Sequence, residues 1–287
     1  MNQVVSKVGI HCVGPARTGY GAFLQTINAA GRRLSVVKCR DDFGAIDEPL
    51  ALWPDMLTVG AFTQFDGFPF DFAAFEKRAK LNPKIKAWEV LNEINGDWDA
   101  QADLYISIAP AFAARGWALV MFSCASGTPP FAHEDNGIAY RAIERACRWM
   151  IDHNIPAYLG LHEYESTGGT IGRYKPLADY LAVRGALLPI IISEYGFETY
   201  PGTAHHMPML KRNDPLYMAD PRVIGCADWT LGGGGWAGSN YQRDLPAMGE
   251  YIANVAPVVV PPVDPPPDPV AESYSGACAG ANDSIID

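Results

Sequence analysis

Two glutamates close long apolar runs in this chain: Glu93 ends WEVLNE and Glu194 ends IIISE. A carboxyl group at such a place has two chemical uses. Protonated, it delivers a proton to a leaving oxygen; ionised, it attacks an electrophilic carbon or takes a proton from water. A pair about 5–5.5 Å apart can do both to an acetal carbon, as retaining cleavage of a glycosidic bond requires, provided the two groups titrate differently. Either carboxylate alone reads equally well as a solvated or salt-bridged strand end. The pair, at matching ends of long apolar runs, resists that reading, but it needs a scaffold that points both groups at one spot.

The rest of the chain predicts such a scaffold. Short apolar runs bounded by turn residues alternate with stretches of helical spacing, the pattern of a parallel sheet covered by helices. Strands are predicted at 7–14, 33–40, 56–63, 84–93, 117–124, 156–164, 189–196 and 223–231. Eight of them favour an α/β fold of the closed (β/α)8 barrel kind over an open sheet. Their near-continuous apolar character suits strands buried on both faces. The C-terminal strand ends of such a barrel form its active face, where strands four and seven, carrying Glu93 and Glu194, face each other across the mouth.

Among the helices, the spacing of Ile138, Ala142, Arg145 and Trp149 predicts one over 134–153 with Asp135 as N-cap. Pro208 and Pro215 instead predict an irregular loop with one short helix over 206–220. After Val255 the segment APVVVPPVDPPPDPV cannot continue a helix and reads as an extended polyproline spacer. The expected organisation is one barrel domain over 1–256, a proline-rich linker over 257–270, and a tail over 271–287 that is either disordered or the start of a further module.

At 22 basic against 32 acidic residues the net charge is −10, and no run of Lys or Arg tracks a phosphate backbone, so nucleic acid is not an expected partner. No stretch approaches the roughly 20 apolar residues of a membrane span. The six cysteines, Cys12, Cys39, Cys124, Cys147, Cys226 and Cys278, lack CxxC spacing and read as buried thiols. The opening VVSKVGIHCVG has no apolar region followed by a small-residue cleavage site. The chain therefore reads as one kept inside a cell, associated with a phage, or exported with its signal already removed.

The segment Leu91-Asn92-Glu93 resembles the Asn-Glu signature at the end of the fourth strand in clan A glycoside hydrolases. Ser193-Glu194-Tyr195-Gly196 is similar to their seventh-strand nucleophile motif. The likeness extends to Arg40 at the end of the second strand, the His-x-Tyr pair His162 and Tyr164 at the sixth, and Trp229 at the eighth, as in cellulase and mannanase-type family 5 enzymes. It spans about 250 residues in order, in motifs of two to four residues. It implies a retaining hydrolase of β-linked polysaccharide or oligosaccharide with no cofactor and no metal: Glu93 as general acid/base and Glu194 as nucleophile. By the same resemblance Asn92 holds the sugar 2-hydroxyl, Arg40 and Tyr164 orient Glu194, His162 lines the donor subsite, and Trp229 gives the sugar ring a platform. Where family 5 has a histidine at the third strand end, this chain has Thr63 and Gln64. That leaves open a related compact family of the clan, such as the short β-1,3-glucanase-like enzymes.

Trp98 and Trp236 are further candidates for sugar stacking, each with core packing as the competing reading. His162-Glu163-Tyr164-Glu165 lacks the spacing of a zinc motif, and the glycine run 231–240 lacks the Lys-Ser/Thr of a phosphate loop. Ser123, Ser126, His133 and Asp135 lie close in sequence without thereby forming a triad. A carbohydrate is the expected partner, with endo-action on a β-glucan or β-mannan preferred. Two other readings stand beside it: a barrel that binds sugar without cleaving it, tethered through the proline-rich linker, and a barrel hydrolase for a non-sugar substrate.

Overall fold

The structure, a computed structural model, describes residues 5–14, 17–165 and 171–258. The proline-rich linker from 259 onward and the tail 271–287, with Cys278, lie outside the described residues. Eight parallel strands close into a barrel in chain order: β1 (Val8–Cys12), β2 (Val36–Arg40), β3 (Leu57–Ala61), β4 (Ala87–Glu89), β5 (Ala118–Cys124), β6 (Ala157–Tyr164), β7 (Ile190–Gly196) and β8 (Val223–Leu231). Helices follow them: α1 (Tyr20–Ala29), α2 (Asp47–Leu52), α3 (Phe72–Ala79), α4 (Trp98–Ala113), α5 (Ile138–Asp152), α6 (Tyr174–Val183), α7 (Thr203–Met218) and α8 (Leu245–Asn254). The expected (β/α)8 architecture is the one observed. Among the described residues no helix is long and apolar enough to cross a membrane.

Alternation along each strand divides the apolar residues into two cores. Outward side chains meet the helices in one large cluster that includes Ile10, Val37, Trp88, Leu119 and Ile192. Inward side chains Val36, Val59, Ala87, Val120, Ile191 and Ala227 fill the lower barrel. The barrel interior is therefore a packed plug beneath the mouth, as such barrels require. Cys12, Cys39, Cys124, Cys147 and Cys226 are buried and unbonded, and burial pushes the Cys124 and Cys147 thiols upward, Cys147 to about 12.

Two expectations need correction. The fourth strand is shorter than 84–93: pairing ends at Glu89, and the chain continues to Glu93 as irregular backbone at the mouth. The stretch 206–220 is no loop, because α7 runs unbroken through Pro208 and Pro215. An internal proline costs a helix about 3 kcal/mol. Burial of His206, Met207, Met209, Leu210, Tyr217 and Met218 against the barrel, together with the Lys7 N–H donated to Asp214 (2.8 Å), outweighs it here. The expected helix over 134–153 is present as α5, but it begins at Ile138 with Gly137, not Asp135, as N-cap; Asp135 lies two residues before that cap and accepts the Gly137 and Ala139 N–H groups at 2.9 and 2.8 Å.

Strand packing leaves no room at Gly9 of β1, where an added Cβ would lie 2.1 Å from the Val36 carbonyl oxygen of β2. The obstacle is backbone, which cannot rotate away. Gly9→Ala should cost about 1–3 kcal/mol through overpacking. That is a fall in melting temperature of several degrees at roughly 2–4 °C per kcal/mol, read by circular dichroism; an unchanged melting temperature would show that the β1–β2 contact is not tight.

Candidate active site

Above the apolar plug the inward positions turn polar. β1 contributes His11, β2 contributes Lys38 and Arg40, β4 contributes Glu89, β6 contributes His162 and Tyr164, β7 contributes Glu194 and β8 contributes Trp229. His11 and Lys38 are register partners, as are His162 and Glu194. The last pairing depends on an irregularity. Leu161 pairs with Ile192, and the next residue, His162, pairs with Glu194, so Ser193 is an extra residue in β7. Without that bulge Ser193 would point inward and Glu194 toward the helices; bulges beside functional sites re-aim side chains in this way.

Glu194 is buried at the centre of this layer. Its Oε1 accepts from Lys38 Nζ (3.1 Å), and its Oε2 accepts from the Tyr164 hydroxyl. Further out lie His162 Nδ1 at 3.5 Å, His11 Nδ1 at 3.8 Å and Arg40 at 3.9 Å. Burial pushes the Glu194 carboxyl upward, but His162, Lys38 and the Tyr164 hydrogen bond together hold it well below the usual carboxylate range. Burial, reinforced by Lys38, drives His11 well below an ordinary histidine, so its imidazole is neutral near pH 7. Burial and the adjacent Glu194 drive the Tyr164 phenol far up, keeping it a donor.

Glu93 stands on the opposite wall, four residues beyond the end of β4. Its backbone adopts φ 55°, and its N–H is donated to the Ser123 carbonyl (3.0 Å), which fixes it against β5. Its side chain is 41% exposed and accepts from His162 Nδ1 at 2.8 Å. One imidazole nitrogen thus lies 2.8 Å from Glu93 and 3.5 Å from Glu194. The nearest carboxylate oxygens can be no further apart than those two distances combined. Two carboxyl groups that close can act on the same bond.

A cavity of about 250 Å³ opens over the two carboxylates, lined by Arg40, Asn92, Glu93, Tyr164, Glu194, Glu198, Trp229 and Trp236. The fold therefore gathers eight of the nine residues singled out in the sequence: all of these except Glu198, together with His162. Trp229 meets His11, Tyr164 and Trp236 edge-on at 4.7, 6.5 and 5.0 Å, and Trp236 is half exposed. Trp98 is not brought to the cleft; it lies buried in the helix-side core at the start of α4. Thr63, standing where a third-strand histidine was expected, donates its hydroxyl to Asp41 (2.6 Å) and accepts from Arg40 Nε (3.1 Å).

Sequence reasoning missed Lys38, Glu89, His11 and Glu198. The signal for the first three was present as an ionisable residue inside a strand that must be buried on both faces: SVVKCR, AWEVL and VGIHCV. Among the described residues Glu89, His162 and Glu194 also form the one group whose ligand atoms could surround a metal. The Lys38 ammonium, 2.7 Å from Glu89 and 3.1 Å from Glu194, already supplies a cation between its two carboxylates.

The outer wall of the cleft is laced together. The Tyr200 N–H is donated to the Gly238 carbonyl (3.1 Å) and the Ser239 hydroxyl to the Glu198 carbonyl, joining the loop after β7 to the 3-10 turn Gly234–Ser239 that carries Trp236. The Tyr200 hydroxyl is donated to Asp244 (2.9 Å), which with Asp228 brackets His206 at 2.7 and 2.9 Å.

No family model and no curated protein matches the chain. Solved structures share its fold. The chain is similar to a triple mutant of an endo-β-1,4-glucanase from Xanthomonas axonopodis pv. citri, at 11% identity over 88% of this chain and 100% of that one, with a TM-score of 0.57. It is also similar to a family 128 (subgroup II) endo-β-1,3-glucanase from Sorangium cellulosum, at 16% identity, 90% and 100% coverage and a TM-score of 0.52. A family 30 subfamily 8 xylanase from Clostridium acetobutylicum matches at 13% identity, 89% and 73% coverage and a TM-score of 0.52. The likeness is one of fold, and chemistry has to be argued from the site.

Burial opposes the charge on His206, but Asp228 and Asp244 prevail and raise it to about 10. A histidine raised above its unfolded value of about 6.5 contributes stability that is full below that pH and lost as pH rises through the folded value. The melting temperature should therefore fall more steeply between pH 7 and 10 in the native protein than in His206→Gln. Parallel slopes in scanning calorimetry would remove His206 from this role.

Proposed function

We propose that the protein is a retaining hydrolase of β-linked polysaccharide or oligosaccharide, of the clan A type, with Glu194 as nucleophile and Glu93 as general acid/base. The observation that carries the reading is the single His162 nitrogen within reach of both carboxylates at the C-terminal mouth of a closed barrel. The difference between the two carboxylates supports the roles. Glu194 is buried and held ionised, as a nucleophile must be, whereas Glu93 is open to solvent and can later meet a water.

In the first step an ionised Glu194 oxygen attacks the anomeric carbon while the bond to the leaving oxygen breaks. Glu93 gives that oxygen its proton, and a glycosyl ester on Glu194 results. In the second step Glu93 takes a proton from water, whose oxygen displaces Glu194 and restores both groups. Asn92, on the same segment as Glu93 and lining the same cavity, would hold the sugar 2-hydroxyl, and the Trp229–Trp236 corner would give a pyranose face an apolar platform. The half-exposed Trp236 at an open rim favours endo-action on a β-glucan or β-mannan. In this reading residues 1–256 are the barrel domain and 257–270 the proline-rich linker.

Two measurements test these roles. Glu194→Gln should abolish release of reducing sugar from a panel of β-glucans, β-mannans and xylan while leaving the circular dichroism spectrum unchanged; native-level turnover in the variant would refute the nucleophile. Glu93→Gln should lose about 10²–10⁴-fold on polysaccharide, the usual contribution of proton transfer, yet retain most of the glycosylation rate on aryl glycosides whose leaving groups need no proton. Equal losses on both substrates would take Glu93 out of the acid role.

A further inference from the structure

The residues around Glu194 do not share its charge equally. Resemblance assigns its orientation to Arg40, but the guanidinium is turned aside: Nε is donated to Thr63 (3.1 Å), a terminal nitrogen is donated to Asp66, and the approach to Glu194 is 3.9 Å, beyond a hydrogen bond. Two residues earlier on the same inward face of β2, Lys38 is completely buried. Its ammonium lies 3.1 Å from Glu194 Oε1 and 2.7 Å from Glu89 Oε1. We propose that Lys38, anchored by Glu89, is the residue that positions the Glu194 carboxylate and supplies its counter-charge, with Arg40 displaced to the rim of the cleft.

Every element packed around Glu194 narrows the assignment. β1 presents His11, which is neutral near pH 7 and whose ring nitrogens have no hydrogen-bond partner among the described residues. β2 presents Lys38 and Arg40; β4 presents Glu89, and the segment after it Glu93. β6 presents His162, whose Nδ1 lies 2.8 Å from Glu93 and 3.5 Å from Glu194, with its hydrogen-bonding contact to Glu93, and Tyr164, a neutral donor. Lys38 is thus the only cation in hydrogen-bonding contact with Glu194 among the described residues. Glu89 has a matching purpose. A lone ammonium in a barrel interior would be free to swing toward either wall, whereas a carboxylate on β4 fixes its height one layer below the reacting oxygen. Lys38 touches no position a substrate would fill, so it is a positioning residue and not a catalytic one.

The inference rests on Glu194 being the nucleophile, so its test has a readout independent of turnover. Lys38→Met alone would leave two buried carboxylates unpaired and risks unfolding; Lys38→Met/Glu89→Gln removes the cation and its anchor together. In protein labelled with ¹³C at glutamate side-chain carboxyls, the Glu194 signal is the one lost in Glu194→Gln. An adjacent cation lowers a carboxylate by about 1–3 pH units. The Glu194 signal should therefore titrate at a pH higher by about that amount in the double variant than in the native protein. The acid limb of the pH profile of kcat/KM should move up with it, and kcat should fall at least tenfold while KM changes little. A Glu194 titration unmoved in the double variant overturns the proposal, whatever the activity. If polysaccharide cleavage is absent but the titration moves, the nucleophile reading fails and the counter-ion stands. Where the double variant does not fold, Lys38→Gln/Glu89→Gln, which keeps a neutral hydrogen-bonding pair in the same space, takes its place. The same rise in the Glu194 titration is required of it, and an unmoved value overturns the proposal.

Discussion

A carboxylate removed from water in a barrel mouth must find its compensation inside the fold, because an unpaired buried charge costs several kcal/mol. Glu194 sets that condition, and much of the barrel interior answers it. Lys38, His162, His11 and Tyr164 reach it from three different strands. Glu89 balances the lysine in turn. The inward face accordingly changes from a small apolar plug of Val, Ile and Ala to a polar layer on β1, β2, β4, β6 and β7. The large outward core carries the packing that makes this affordable.

The barrel was legible because it depends on period and punctuation, which survive in any single sequence. All eight predicted strands are present, and the strand-end residues Arg40, His162, Tyr164, Glu194 and Trp229 meet in one cavity or on its wall. What was not legible depends on distances between strands. A lysine inside SVVKCR is visible, but its partner on β4 is 51 residues away and only closure of the barrel brings them together. The direction of Glu194 was likewise hidden. Strict alternation along β7 sends Glu194 to the helix side, and only the extra residue at Ser193 turns it inward. The error at α7 has the opposite origin. Proline chemistry argues locally for a break, but burial of one helix face overrides it.

The structures that share this barrel cleave different β-linked glycans, and the shared architecture by itself does not choose among them. The parts that would choose sit above the strands. Asn92 and Glu93 lie on irregular backbone after β4, and Glu198 and Trp236 on loops after β7 and β8. The reacting layer below is fixed by strand register. Chemistry and selectivity are thus carried by different kinds of structure: one rigid and shared around the whole ring, the other built from short segments that differ on each side of the cleft.

One of those sides is braced from outside the barrel. Because Tyr200 ties the Glu198 loop both to the Trp236 turn and to Asp244 at the foot of α8, the two loops have a common mooring in the helical shell. They can be expected to travel as a single panel. A mutation that lengthens either loop would tug on its neighbour through Tyr200, whereas the Asn92–Glu93 bank, tethered to β5 through Ser123, would stay where it is. The width of the groove is therefore a hinge-like property of one bank alone, and changes in what the groove admits should be concentrated in that bank and in the residues that moor it.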